Sequence, residues 1–161
     1  MKWVGKDFTH STLDEGYDFI ITDKWRKKYH FKISTFEGVA GLISEALQVI
    51  EPGNDKVPRR FEMLSEFDDD VEKTEMLLKA KIKKSINQRH LQLENGFLQM
   101  TSEQQLRGTI TWNDNMTDTK FDQIFSVDGK RITIENFGKL IESYGGFNFK
   151  FKIYDPSDDI E

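Results

Sequence analysis

The sequence predicts an α+β fold: a mixed or mostly antiparallel sheet of six to seven strands with three helices, in the order ββαβαβββαβ. Three observations predict it. Residues 29–34 and 147–154 alternate apolar and polar side chains, the period of a half-buried strand. The segments that begin at Val71 and Ile134 instead space their apolar residues by three and four, the period of a helix with one buried face. Between such segments stand the turn pairs Pro52-Gly53, Asn95-Gly96, Asp128-Gly129 and Gly145-Gly146.

Residues 1–15 are mixed and polar, with Trp3 and Phe8 as large anchors, and read as an N-terminal arm. Strands follow at 17–22 and 29–34, the second with Tyr29, Phe31 and Ile33 on one face and His30, Lys32 and Ser34 on the other. Asp23 to Lys28 between them reads as a basic hairpin loop. Phe36, Val39, Ala40, Ile43, Leu47 and Ile50 form one helical stripe, so the spacing predicts a helix over 36–50, capped by Ser34 or Thr35 and stopped at Pro52-Gly53. Gly38 and Gly41 within it would admit a strand or a partner at close range. The break at 52–58 is a candidate subdomain boundary inside a single domain spanning 16–155.

Residues 59–67 read as a strand. Asp68, Asp69 and Asp70 then lead a helix from Val71 to about Leu91, with Val71, Leu78, Ile82 and Ile86 as its seam and Glu75 in solvent. Asn95-Gly96 predicts a reversal into a strand at 97–100. The last third carries a strand ending at Trp112, a polar loop at 113–118, and a strand ending at Val127 before the Asp128-Gly129 turn. A Thr133-capped helix follows, presenting Ile134, Phe137, Ile141 and Tyr144, then Gly145-Gly146 and a final strand over 147–154. Residues 156–161 form an acidic tail.

Apolar residues make up 37% of the 161, and thirteen Phe with three Trp enlarge the core this can build. Charge reaches 32% with both signs interspersed, which argues against disorder. The absence of Cys excludes a disulfide scaffold, a thiolate zinc site and a cysteine nucleophile. No apolar signal-peptide core follows Met1, and no window approaches the ~20 apolar residues of a membrane span, so a soluble cytoplasmic protein is expected. A net charge of −5 disfavours a protein that coats DNA along a broad basic face.

From about Arg59 onward, the chain carries Phe67-Asp68-Asp69-Asp70-Val71-Glu72, Arg107-Gly108-Thr109-Ile110-Thr111-Trp112, Val127-Asp128-Gly129-Lys130, Glu135-Asn136-Phe137-Gly138-Lys139-Leu140 and Phe147-Asn148-Phe149-Lys150. In these residues it resembles an uncharacterised bacterial domain family of unknown function, over about residues 59–155. The resemblance implies a bacterial or phage-borne origin and no particular activity.

Lys24, Trp25, Arg26, Lys27, Lys28 and His30 interleave cations with aromatic rings, the chemistry of a phosphate or single-strand platform across residues 24–32. Lys79, Lys81, Lys83, Lys84, Arg89 and His90 form a second basic run on the long helix, of which Lys83, Lys84 and Arg89 are taken into the candidate site. A solvated charged face is the ordinary explanation of both. Asp68 and Asp70, with Asp114 and Asp118 in the polar loop, are weak candidates for a divalent cation, although helix capping and turn formation account for the same residues. Asp128 is read first as a turn residue. No nucleotide-binding loop, nucleophile elbow or histidine metal motif is present.

The expectation is therefore a non-enzymatic protein without a cofactor that binds a macromolecule, most simply another protein. An immunity or antitoxin protein, a phage-defence accessory or an anti-defence inhibitor would act this way. Nucleic acid or a nucleotide ligand bound at the basic-aromatic segment is the alternative. A homodimer is compatible with either, and a membrane with neither.

Overall fold

The computed structural model describes residues 4–5, 16–51, 55–113 and 119–160. The chain divides into two units. The first comprises Met1–Glu51, Pro58–Asn87 and Lys152–Glu161, and the second Pro52–Val57 and Gln88–Phe151.

In the first unit, alternation builds a sheet. Its strands are β1 (Val4–Gly5), β2 (Tyr17–Thr22), β3 (Lys28–Glu37), β4 (Leu42–Gln48) and β5 (Arg60–Ser65). β3 is its pivot, antiparallel to β2 and β4 and parallel to the short β1, while β4 pairs β5. Phe31 stands opposite Phe19 on one side and Gln48 on the other, so Tyr29, Phe31 and Ile33 share a face with Ala46 and Phe61. Helix α1 (Val71–Ile86) packs its Leu78, Ile82 and Ile86 on that face and closes the core. Asp70 caps the helix by accepting from the Glu72 N–H at 3.0 Å.

The second unit is built from smaller pieces. Strands β6 (Leu91–Glu94) and β7 (Phe97–Met100) make a hairpin across Asn95-Gly96, whose positive φ angles of 53° and 81° suit the tight turn that a right-twisted hairpin needs. Strands β8 (Gly108–Trp112), β9 (Gln123–Val127) and β10 (Lys130–Ile132) form an antiparallel sheet in the order β10-β9-β8. Asp128-Gly129 turns β9 into β10 with φ values of 54° and 74°. Helix α2 (Ile134–Ile141), capped by Thr133, runs into a 3-10 turn (Glu142–Tyr144). Leu91, Val127, Ile132 and Leu140 are the buried centre, and Phe125 meets Phe137 with ring centroids 5.0 Å apart.

The α+β character is as read, but the element count is not. Instead of three helices on one sheet of six to seven strands, there are two α-helices and three small sheets among the described residues. The helix expected over 36–50 is absent: residues 28–37 and 42–48 are β3 and β4, joined by a turn in which Gly38 N–H donates to the Gly41 carbonyl at 2.7 Å. The stripe misleads because β4 is buried on both faces, so Ser44 and Glu45 lie inside rather than on a solvent face, and two-sided burial erases alternation. Gly41 does serve close approach, since a Cβ there would lie 2.2 Å from the Ser65 carbonyl oxygen.

The long helix ends at Ile86 rather than near Leu91, because Leu91–Glu94 is drawn into the β6–β7 hairpin. Glu75, expected in solvent, is 1% exposed. Finally, residues 147–154 alternate but form no strand. Alternation supplies one apolar face; a ladder also needs a neighbouring backbone, and none of the described strands takes that place.

Candidate functional site

The sequence-predicted basic platform lies at the β2–β3 turn of the first unit. Asp23 makes that turn. Its Oδ1 accepts from the N–H groups of Trp25 and Lys27, both at 2.9 Å, and its Oδ2 accepts from the Tyr29 hydroxyl at 3.1 Å. Asp23 is buried, so its carboxylate spends its acceptor capacity on the turn itself. Arg26 is held at φ 70°, a left-handed conformation that costs a non-glycine residue about 1 kcal/mol and persists because the Asp23 network over-determines it.

The turn is anchored to the end of α1. The Lys24 N–H donates to Asn87 Oδ1 at 2.7 Å, and Asn87 Nδ2 donates to the Lys83 carbonyl at 2.8 Å. Lys83 and Lys84 lie in the last helical turn, where positive charge complements the negative end of the helix dipole. Two basic segments far apart in sequence thus meet at one end of the unit, with Lys24, Arg26, Lys27, Lys28, Lys83 and Lys84 all exposed. Lys24 stands 4.6 Å from the centre of the Trp25 ring, and Lys27 and Arg59 stand 5.1 Å and 5.4 Å from that of Tyr29. Trp25 is 39% exposed, so its ring reaches the surface.

The other residues predicted for this site are elsewhere. His30 alternates to the sheet face opposite α1, where its Nε2 meets Asp18 Oδ1 at 2.6 Å and Lys32 joins the same carboxylate at 3.0 Å. The hydrogen bonds from His30 and Lys32 hold the Asp18 carboxyl below the usual range. Arg89 belongs to the second unit. Two other lysines of the helix are engaged: Lys79 lies against the Tyr17 and Phe19 rings, and Lys81 donates to the carbonyls of Glu62 and Asp158.

Of the acidic candidates, Asp70 is the α1 cap and exposed Asp68 precedes it, while neighbouring Asp69 accepts from the Glu66 N–H at 2.8 Å. Asp114 and Asp118 lie outside the described residues, as do Trp3 and His10. Among the described residues no three His, Asp or Glu side chains gather as a metal site would require. Asp128 is structural: its Oδ2 accepts from the N–H groups of His90 and Leu91, both at 2.8 Å, and ties the start of β6 to the β9–β10 turn. Among the described residues, no helix is long and apolar enough to cross a membrane.

Two features escape the sequence reading. One is a polar cluster in the first core, where Glu75 Oε1 accepts from the Tyr17 hydroxyl at 2.8 Å and Oε2 from Thr35 Oγ1 at 2.6 Å, with Ser44 Oγ 2.8 Å from Thr35 Oγ1. Burial, then the Glu75 hydrogen bond and charge, raise the Tyr17 phenol well above its ordinary range. The spacing holds a signal for this, since Glu75 sits four residues after Val71 and three before Leu78, on the apolar seam itself. The other feature is the amount of aromatic surface on the second unit. Trp112 is 71% exposed and Phe149 is 90% exposed, with Phe97, Phe147 and Phe151 exposed as well.

Two domains of unknown function cover most of the chain. Residues 14–87 match one domain of unknown function (DUF7686) and residues 89–158 match another (DUF7713). The two ranges meet at the point in sequence where Asn87 closes a segment of the first unit and Gln88 opens one of the second. No curated protein and no solved structure matches the chain.

Proposed function

We propose that the chain works by binding another protein, without catalysing a reaction, through the aromatic surface of its second unit. The observation that carries this reading is Trp112 at 71% exposure on β8, in a unit whose Phe97, Phe121 and Phe149 are exposed as well. Large rings held in water lose the hydrophobic free energy that a partner would restore, and Trp is among the residues that dominate binding interfaces. An immunity or antitoxin protein, or an inhibitor in host–phage conflict, acts in this way. The test is affinity capture on the immobilised full chain. A stoichiometric protein partner is expected, with Trp112→Ala weakening its binding by about 30-fold, the scale of a hot-spot residue. Failure to recover any such partner from the cells that express the chain removes the reading.

A second reading rests on the basic turn. Lys24 stands over the exposed Trp25 ring, and the Lys24–Asn87 hydrogen bond, at 2.7 Å, ties this turn to the helix end that carries Lys83 and Lys84, which suits a single-stranded nucleic acid or a nucleotide phosphate. It predicts binding of a labelled oligonucleotide that weakens with salt. Lys27→Ala should lower the salt slope by ~0.7, the value of one phosphate contact on a single strand. Trp25→Ala should weaken binding at every salt concentration. Absence of binding at ~50 mM salt, where phosphate contacts are strongest, ends this reading.

A further inference from the structure

The second unit contains an open sheet and an unused strand. In the β10-β9-β8 sheet, the outer side of β10 is covered: Val57 N–H donates to the Gly129 carbonyl and Arg131 N–H to the Asp55 carbonyl, both at 2.9 Å, and Lys56 bridges Lys130. At the opposite end β8 has a ladder partner on one side only among the described residues, and Gly108, Thr109, Ile110 and Trp112 along it are exposed. An exposed edge is a template for another strand unless charge, proline or a bulge blunts it. Within β8, Gly-Thr-Ile-Thr-Trp carries none of the charged residues or prolines that would do so.

The unused strand is Phe147-Asn148-Phe149-Lys150-Phe151. Its alternation is the clearest strand signal in the sequence, yet it makes no ladder and all five residues are exposed. It is tethered at the start, where the Phe147 N–H donates to the Tyr144 carbonyl at 2.9 Å and the two rings meet edge to face at 5.3 Å. Further along the chain Lys81 holds the Asp158 carbonyl at 3.2 Å within the first unit. Residues 148–151 carry alternate rings, and among the described residues they make no backbone–backbone hydrogen bond.

We propose that the Phe147–Phe151 segment of one chain adds as a strand to the β8 edge of a second copy, and the second copy returns the contact. This deepens the protein-binding reading and rests on it, by naming the partner of this part of the surface. Three arguments select a second copy. Each chain carries both halves of the contact, a strand without a sheet and an edge without a strand, so two copies satisfy each other by a two-fold exchange. The lengths agree, since β8 has five residues and the segment from Phe147 to Phe151 pairs along the same span. The area suffices: with ~100 Å² or more from each of the three rings, and as much covered on the partner, two reciprocal contacts bury on the order of 1,200 Å², within the range of specific interfaces.

The test is light scattering or sedimentation on the full chain from ~1 to ~100 μM, the range in which a micromolar dimer forms and dissociates. Wild type is expected to double in mass across that range. Phe149→Glu places a charge in the contact, and the double variant Phe149→Pro with Lys150→Pro removes a ladder donor whichever of the two alternating N–H groups faces the edge; neither touches a helix or a ladder of the monomer. Both are expected to stay monomeric, with the circular dichroism and melting temperature that wild type shows at ~1 μM, where it too is monomeric, and Ile110→Lys on the edge is expected to do the same. A wild type that remains monomeric at the highest concentration overturns the proposal, as does a dimer that survives the double proline variant, since that dimer would not be strand-paired. If wild type is monomeric yet its captured partner is lost on Trp112→Ala, protein binding stands and self-pairing falls. If dimers form as described and no other protein is captured, self-pairing stands and the heterologous reading falls.

Discussion

Glu75→Ala is expected to lower the stability of the first unit by about 3 kcal/mol, read as a shift of the urea midpoint monitored by circular dichroism. The carboxylate is buried, with the Tyr17 hydroxyl on one oxygen and the Thr35 hydroxyl on the other. Truncation leaves these hydroxyls to find new acceptors inside the sheet–helix core, and each orphaned donor costs ~1–3 kcal/mol of desolvation, to which the cavity adds. Glu75→Gln keeps the volume but replaces one acceptor oxygen with a donor, so about half the loss is expected. The Tyr17 phenol supplies an independent readout. Burial is the leading cause of its raised pKa and Glu75 the next, so Glu75→Gln should bring its ionisation down toward the ordinary range without restoring it. Absorbance at alkaline pH measures this. A Glu75→Ala midpoint equal to that of wild type would mean that water or a rearranged side chain replaces the carboxylate without loss.

Phe31→Ala should cost more, about 4 kcal/mol, by the same measurement. Phe31 is the centre of the first core: it is fully buried in the middle strand of the sheet, with the Phe61 ring edge-on at 5.8 Å and Tyr29 stacked at 6.4 Å. Ladders run on both sides of β3, so the backbone has little freedom to close over the void. Phe31→Leu fills most of that volume and should lose well under half as much. Equal losses for the two variants would show that ring stacking, rather than filled volume, sets the cost.

The site was partly legible for the same reason the turns were. Asp23 fixes a turn through N–H groups two and four residues away, and Trp25 stays at the surface because that turn directs it there. That Lys83 and Lys84 join this turn depends on the Lys24–Asn87 hydrogen bond, which spans 63 residues and leaves no mark in either segment. His30 shows the converse. Strand alternation places it with Lys28 on the sheet face opposite Tyr29 and Phe31, and there it turns to Asp18 rather than to the platform. The period of two gives its face, but the pairing with Asp18 on the neighbouring strand is a cross-strand contact that the segment by itself does not reveal.

Local chemistry was readable from the chain alone: the Asp70 and Thr133 caps, the Asn95-Gly96 and Asp128-Gly129 turns, the Leu78–Ile82–Ile86 seam and the alternation of β3 are each settled by residues within about one helical turn or one strand. Whether an alternating or striped segment finds a neighbour is a long-range matter. Residues 36–50 imitate a helix until β3 and β5 flank Leu42–Gln48 on both sides, and residues 147–151 imitate a paired strand although they join no ladder among the described residues. A side-chain pattern fixes which face is apolar. Folding then supplies or withholds the partner that turns the face into a core, and in this protein that step made Glu75 a buried ligand for hydroxyls and left three phenyl rings in water.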